Sequence, residues 1–441
     1  MNFQNHEHCK FQGVDFFDLG NWTVQYWTNS ENSSLFLNSI NQVLNHQGEQ
    51  KDHIIVLLDA CCEKYDHENH GHFPEFNAYA ELLDWIESKS GKPLSNHSVL
   101  LFHNPGEALI SSGEYYLCKL LLERYPDLTL ILSSGSAHGT VTSRSFKKLF
   151  GEYKNCYHVC INDWYPDPKG KYNEFITPDY LKNYPKEKTF VYIGGGLRWH
   201  RRLLLYNLYH NNLLDNGFVT YNLQPAYHGV SVRPCKQIHT YDKNIHNMWI
   251  ERDVHNILPN SMTLYDEKDL KSGTIPVLSH DNHVHAWLNI PDLDIPFYEN
   301  SYVTLLPETT WWSSNDEYFR KCFVDFEFND YSPPSNFFSE KTYRAILNGM
   351  PFVTFSNPHS LDALRRMGLK TYHPYIDETY DTIEDDQDRM ASLIQTLTKL
   401  RDNPPDRSTM EKMKEIADYN RDILIRMPYH VVITDNQGMK I

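Results

Sequence analysis

The chain has 441 residues, of which 40% are hydrophobic and 22% charged, a composition that folds and excludes a disordered segment. At roughly 150 residues per domain there is room for two large domains or three ordinary ones. Asp and Glu number 57 against 41 Lys and Arg, and the formal charge of −16 excludes a broad basic surface that coats nucleic acid, leaving only a local basic cleft. The opening residues, MNFQNHEHCKFQG, carry no basic stretch followed by an apolar one, so no secretory leader is expected. No window approaches the ~20 apolar residues of a membrane span. The eight cysteines form no Cys-x-x-Cys pair and read as free thiols in a reducing compartment. The expectation is a soluble, cytoplasmic protein.

In chain order, HIIVLLDA (53–60) predicts a buried parallel strand and NAYAELLDWIESKSG (77–91) a helix stopped by glycine. SVLLFHNPGE (98–107) is a second strand and EYYLCKLLLERYPD (114–127) a second amphipathic helix. LTLILSSGSAHG (128–139) and NCYHVCIND (155–163) complete the first run of strands. Strand and helix alternating at this pitch predict a parallel α/β sheet. Residues 164–188, with four prolines and many lysines, read as a linker. A second run follows. TFVYIGGG (189–196) is a strand, 200–217 a helix, and FVTYN (218–222) a strand. Residues 223–296 are polar, rich in histidine and carry no periodic signal. The alternation returns with SYVTLLPE (301–308), KTYRAILNG (341–349), MPFVTFS (350–356) and SLDALRRMG (360–368), and two helices close the chain at 387–402 and 408–426. The predicted fold is α/β, two Rossmann-like lobes with the active site in the cleft between them. Their predicted bounds are 1–188 for the first lobe and linker, 189–408 for the second, and 409–441 for a closing helix and tail.

In parallel sheets, ligands bind beyond the carboxyl ends of the strands. Those ends carry Asp59, His103, Ser133, Ser134 and Asp163 in the first half. In the second half, SEKTYRAILNGMPFV (339–353) places Ser339 as the N-cap of a helix whose first turn holds Glu340 and Lys341. A helix start with a carboxylate and an ammonium suits a ligand with hydroxyls and phosphates, and equally makes an ordinary capped helix. GGGLRWHRR (194–202) is a glycine-rich turn followed by Arg198, Arg201 and Arg202. It fits a phosphate or a solvated basic helix face, and it is neither a Walker loop nor G-x-G-x-x-G. Glu308, in LLPETTWW (305–312), ends an apolar strand where a sugar hydroxyl could reach it, or it is a structural carboxylate; Trp311 and Trp312 could stack on a sugar or base. HENHGH (67–72) and SHDNHVH (279–285) hold three histidines each and read as surface loops before metal sites. DLD (292–294) has the Asp-x-Asp form of a metal-bound diphosphate site, and IDETYDTIEDD (376–386) is an acidic run that reads as a solvated loop and helix start.

Several strings taken together resemble the C-terminal half of a group of phage and giant-virus glycosyltransferases. They are FYENSYVTLLPETTWW, NFFSEKTYRAILNGMPFVTFSNPHSLDALRRMGLKTYHPYIDETYD and the DQDRM segment. The (Ser/Thr)-Glu-Lys…Gly-x-Pro core is also similar to the donor lobe of fucosyltransferases, which have the GT-B fold, and GGGLRWHRRLLLYNLYHNNLLDNGFVTYN resembles the opening of that lobe. The resemblance covers about half the chain, near 190–222 and 297–400.

The resemblance implies a glycosyltransferase that uses a nucleoside diphosphate sugar, with a UDP-sugar the first choice, and needs no bound metal. Glu340 would contact ribose or sugar hydroxyls. Lys341, Arg198, Arg201 and Arg202 would face the diphosphate, with Ser339 and Glu308 beside the donor. The first lobe would present the acceptor and a general base, for which Asp59, His103, His138 and Asp163 are candidates and Asp59 the first. Two acceptors follow: a hydroxymethylated pyrimidine such as 5-hydroxymethylcytosine in viral DNA, which is favoured, and a glycan or virion protein. A cleft carrying RWHRR (198–202), Arg365 and Arg366 could dock a DNA backbone locally. A non-catalytic virion protein that kept the fold is the alternative of a different class. An epimerase would want a dinucleotide fingerprint after the first strand, where HIIVLLDACCEKYD has none.

Overall fold

The computed structural model describes residues 7–11, 14–18, 54–58, 87–88, 99–104, 121–134, 136–137, 147, 150–160, 175–193, 199–220, 294–308, 336–426, 432–434 and 437. The described strands in chain order are β1 (Glu7–Phe11), β2 (Val14–Asp18), β3 (Ile54–Leu58), β4 (Val99–Asn104), β5 (Thr129–Ser134), β6 (Ser136–Ala137), β7 (Cys156–Cys160), β8 (Lys188–Ile193), β9 (Gly217–Thr220), β10 (Ser301–Pro307), β11 (Asn336–Phe337), β12 (Phe352–Phe355) and β13 (Val432–Thr434). The described α-helices are α1 (Trp199–His210), α2 (Ile295–Glu299), α3 (Glu340–Leu347), α4 (Ser360–Arg366), α5 (Asp386–Asp402) and α6 (Arg407–Arg426). No described helix is long and apolar enough to cross a membrane.

The chain divides into two compact units. The first comprises Met1–Asp163, Phe328–Phe337 and His430–Ile441; the second comprises Trp164–Glu327 and Phe338–Tyr429. The first unit holds a sheet of order β1-β2-β3-β4-β5-β7-β13. Strands β2 to β7 in this sheet pair in parallel, while β1 and β13 close its two edges antiparallel. Leu130, Ile131, Cys156 and Val159 are fully covered, as the β-branched and leucine-rich runs require. Among the described residues the parallel strands of this sheet follow one another in chain order, without the single reversal of Rossmann winding. The sequence showed the parallel strands β3, β4, β5 and β7 but neither the parallel β2 nor the two edges. β1 and β2 pair through polar, mixed residues that carry no apolar alternation, and the three residues of β13 are too few for a periodic signal.

The second unit holds a parallel sheet of order β12-β10-β8-β9. All seven residues of β10 are buried, so both faces of this central strand are covered. On α5 the buried Met390, Leu393, Ile394, Leu397 and Leu400 follow helical spacing, as do Met410, Met413, Ala417 and Leu424 on α6. α3 ends where Gly349 takes a left-handed φ of 64° that a side chain would resist. Between α4 and α5, Asn420 of α6 fixes the backbone of Lys370 from both sides. It accepts from Lys370 N at 2.7 Å and donates to Lys370 O at 2.8 Å.

The proline- and lysine-rich stretch read as a linker is described from residue 175, and it packs onto the second sheet. Tyr180 is fully buried and its hydroxyl donates to Tyr302 O at 2.9 Å. Lys186 is 7% exposed and donates to the carbonyls of Tyr180 at 2.5 Å and Glu299 at 2.6 Å. Composition marks such a segment as exposed, but here the lysine stem and the tyrosine ring bury together, with Nζ 4.9 Å from the ring centre. Burial pushes Lys186 down to about 8; Asp179 and Glu299 oppose this and Arg407 adds to it. Its folded value lies below its unfolded value, so the unfolded chain binds more protons between the two. Stability owed to this residue is therefore reduced below pH 8 and rises with pH toward the unfolded value. Lys186→Met removes that titration. In urea unfolding, wild type should gain on the variant as pH rises from about 7.5 to about 10; a constant difference would contradict the assignment.

Candidate ligand-binding site

The order β12-β10-β8-β9 reverses once. The chain leaves β8 through α1 to β9 on one side, while β12, the strand after β10 in this sheet, lies on the other. The carboxyl ends of β8 and β10 therefore flank a topological switch point, where loops diverge and ligands bind. α1 packs with α5, and α3 packs with α6.

Glu308 follows the last residue of β10 and is fully buried. Its N–H donates to Phe355 O at 3.0 Å, which carries the ladder one residue past the strand. Its carboxylate accepts from Ser339 N at 3.2 Å, Ser339 Oγ at 2.7 Å and Thr342 Oγ1 at 2.5 Å. A negative group is thus set on the positive end of α3. Ser339 is the N-cap, as its residue type and place predict, and its Oγ also accepts from Lys341 N at 3.3 Å.

Neighbouring residues do not face each other along a helix. In this first turn the Lys341 side chain bends back instead, and its Nζ lies 2.5 Å from Glu340 Oε1 and 3.3 Å from Ser339 Oγ. The Glu340 and Lys341 side chains keep 15% and 13% of their surface exposed. Burial pushes the Glu340 carboxyl up, but the ammonium of Lys341, with Arg344 and Arg201 beyond it, outweighs burial and holds it at about 2. Burial lowers Lys341, and the nearby Arg201 adds to the fall while Glu340 and Glu308 resist it. Arg201, in the first turn of α1, is 4% exposed and acts on both members of the pair.

Five residues singled out in the sequence, Arg201, Glu308, Ser339, Glu340 and Lys341, thus come together at one switch point. Arg202 follows Arg201 on α1, but its side chain lies outside the described residues, as do Arg198, Asp59, His138, Asp163, the two tryptophans and both histidine-rich loops. His103 lies on β4 level with Leu58 and Ser133, and its side chain is likewise outside. Three residues were not singled out. Thr342 holds Glu308. Arg344 acts on Glu340 and on Asp294. Ser356, the residue after β12, falls level with Glu308, is 4% exposed, and its Oγ has no hydrogen-bond partner among the described residues. Its position at a strand end is the signal that could have marked it.

The other charged motifs are spent locally. Arg365 pairs with Glu378 at 2.8 Å and Arg366 with Asp362. In the acidic run, Asp381 accepts from Ser360 Oγ and the N–H groups of Leu361 and Asp362 at the start of α4. Asp385 caps α5, and hydrogen bonds from Lys399 and Thr379 hold Asp377 at about 2. Asp294, the described end of the Asp-x-Asp string, is pushed up by burial against the pull of Arg344. Among the described residues no three His, Cys, Asp or Glu gather as a metal set.

No family model matches the sequence, and no curated protein matches it. A solved structure, the pneumococcal O-GlcNAc transferase GtfA in complex with UDP and GlcNAc, aligns with a TM-score of 0.35 at 8% identity. The alignment covers 87% of this chain and 57% of that one, so the chain spans little more than half the length of that protein. At this distance no residue role passes from one to the other.

Glu308→Ala would leave the α3 N-terminus and the Ser339 and Thr342 hydroxyls without their acceptor. The expected loss is about 3 kcal/mol. Ser339→Ala should cost about 1 kcal/mol, the worth of one cap. Chemical denaturation of both variants checks the order, and an equal loss would remove Glu308 as the anchor.

Proposed function

We propose that the chain is a glycosyltransferase whose second unit binds a nucleoside diphosphate sugar, with a UDP-sugar the first choice. One observation carries the reading: the Lys341 and Arg201 cations stand beside an ionised, partly exposed Glu340 at the β8–β10 switch point. Cations and a helix start suit a diphosphate, and an ionised carboxylate accepts from ribose or sugar hydroxyls. The resemblance of the same strings to viral glycosyltransferases supports it. In the proposed transfer, the bond from the anomeric carbon to the diphosphate oxygen breaks and a bond to the acceptor oxygen forms. The acceptor proton passes to a base, and charge grows on the leaving diphosphate, where Lys341 and Arg201 stabilise it. The reading calls for no resident metal. Glu308, fully buried and bonded to Ser339 and Thr342, becomes a positioning residue for the helix start and does not itself touch the sugar.

The acceptor and its base are assigned to the first unit, with Asp59, His103 and Asp163 the candidates. Of the two acceptor classes, a glycan or protein hydroxyl now stands ahead of a hydroxymethylated DNA base. The observation behind this is the pairing of Arg365 and Arg366 with Glu378 and Asp362, which occupies two of the cations proposed to dock DNA.

A thermal-shift series with UDP, GDP, ADP and CMP, each with and without EDTA, tests the donor. Ligand at 100 times its dissociation constant stabilises by about 2.7 kcal/mol, or about 5–10 °C for a unit of this size. The expected result is a rise with UDP that survives EDTA and disappears in Lys341→Met and Arg201→Met. A rise abolished by EDTA would show a metal-dependent site. No rise with any nucleotide would favour the non-catalytic alternative.

A further inference from the structure

Glu340 occupies the place an incoming phosphate would take. Its Oε1 lies 2.5 Å from Lys341 Nζ in the first turn of the eight-residue helix α3, and Arg201 acts on both side chains. The Lys341 cation is already paired with a carboxylate one residue away. An ionised carboxylate offers only acceptors, so a bare anion that approaches Lys341 meets a like charge and brings no proton to satisfy it. A ligand with hydroxyls offers Glu340 donors in exchange for Lys341.

A second, independent observation points the same way. Pro307 of β10 pairs with Phe355 of β12, so Ser356 comes level with Glu308, and residues level across a ladder share a face of the sheet. On that face Glu308 meets Ser339 and Thr342. Ser356 Oγ, on the same side, is 4% exposed and has no partner among the described residues. A buried hydroxyl without a partner in a native fold calls for one, and here a ligand can supply it.

We propose that Glu340 is a specificity-determining residue that competes with anionic ligands for Lys341 and Arg201, so that the site admits a phosphate only when the same molecule brings hydroxyl donors. Ser356 Oγ adds a hydrogen bond to that polyhydroxylated ligand. The identity of the hydroxyl carrier rests on the nucleotide-sugar reading, whereas the competition rests on the geometry of the pair.

The test is calorimetric titration of the full chain with inorganic pyrophosphate and, separately, with UDP. Wild type is compared with Glu340→Gln, Glu340→Ala and Ser356→Ala. Removing the competitor should raise pyrophosphate affinity about tenfold in both Glu340 variants and lower UDP affinity by a similar factor. Ser356→Ala should leave the melting temperature of the free chain unchanged and weaken UDP about fivefold. Pyrophosphate affinity that is unchanged, lower or undetectable in both folded Glu340 variants overturns the competition. If pyrophosphate binding rises in the variants but wild type binds no nucleotide, the competition stands and the nucleotide-sugar reading falls. Equal UDP affinity in Ser356→Ala removes Ser356 from the site.

Discussion

The second unit turns on one buried carboxylate. Glu308 sits at the end of the fully covered strand β10 and has no water to solvate it. A bare carboxylate there would be prohibitively costly, and three donors from Ser339 and Thr342 remove that cost. The donors belong to the start of α3, so satisfying the charge also fixes where that helix begins relative to the strand. The same device recurs at α4, where the buried Asp381 collects Ser360 Oγ and two N–H groups. In both places an acidic side chain from elsewhere in the chain takes up the orphan donors of a helix end.

This anchoring shapes the chemistry beside it. With Glu308 holding the N–H of Ser339, the Ser339 hydroxyl donates inward to the carboxylate and accepts from Lys341. Lys341 is drawn back across the helix start instead of extending into water, and Glu340 follows it. Arg201 reaches the same spot because α1 begins just after β8, the strand next to β10. A buried anchor, the Glu340–Lys341 ion pair beside it and an arginine from the first turn of α1 therefore converge through ordinary parallel-sheet topology.

The packing around the site is held by polar bonds that composition would not suggest. Lys186 and Tyr180 are buried against the start of β10, and Asn420 pins Lys370 from α6. These contacts join residues more than a hundred positions apart in the first case and fifty in the second. They stabilise the sheet from its ends, while the leucine, methionine and phenylalanine side chains fill the interior.

The sequence by itself determined strands β3, β4, β5 and β7 of the first unit and the alternation of strands and helices in the second. Buried parallel strands read as runs of branched apolar residues, and helix starts such as Ser339 announce themselves by residue type, because both depend on local physics. It also singled out Arg201, Glu308, Ser339, Glu340 and Lys341, which the fold brings together, since strand ends and helix starts are where polar side chains gather. Tertiary structure alone decided the rest. The strand order created the switch point and left the first sheet without a reversal. It buried Glu308 on the helix start and set Ser356 level with it. It also packed lysine-rich residues 175–188 onto the sheet and added the antiparallel edges. Each of these depends on which residues distant in the chain meet across a sheet, and no period or composition records that.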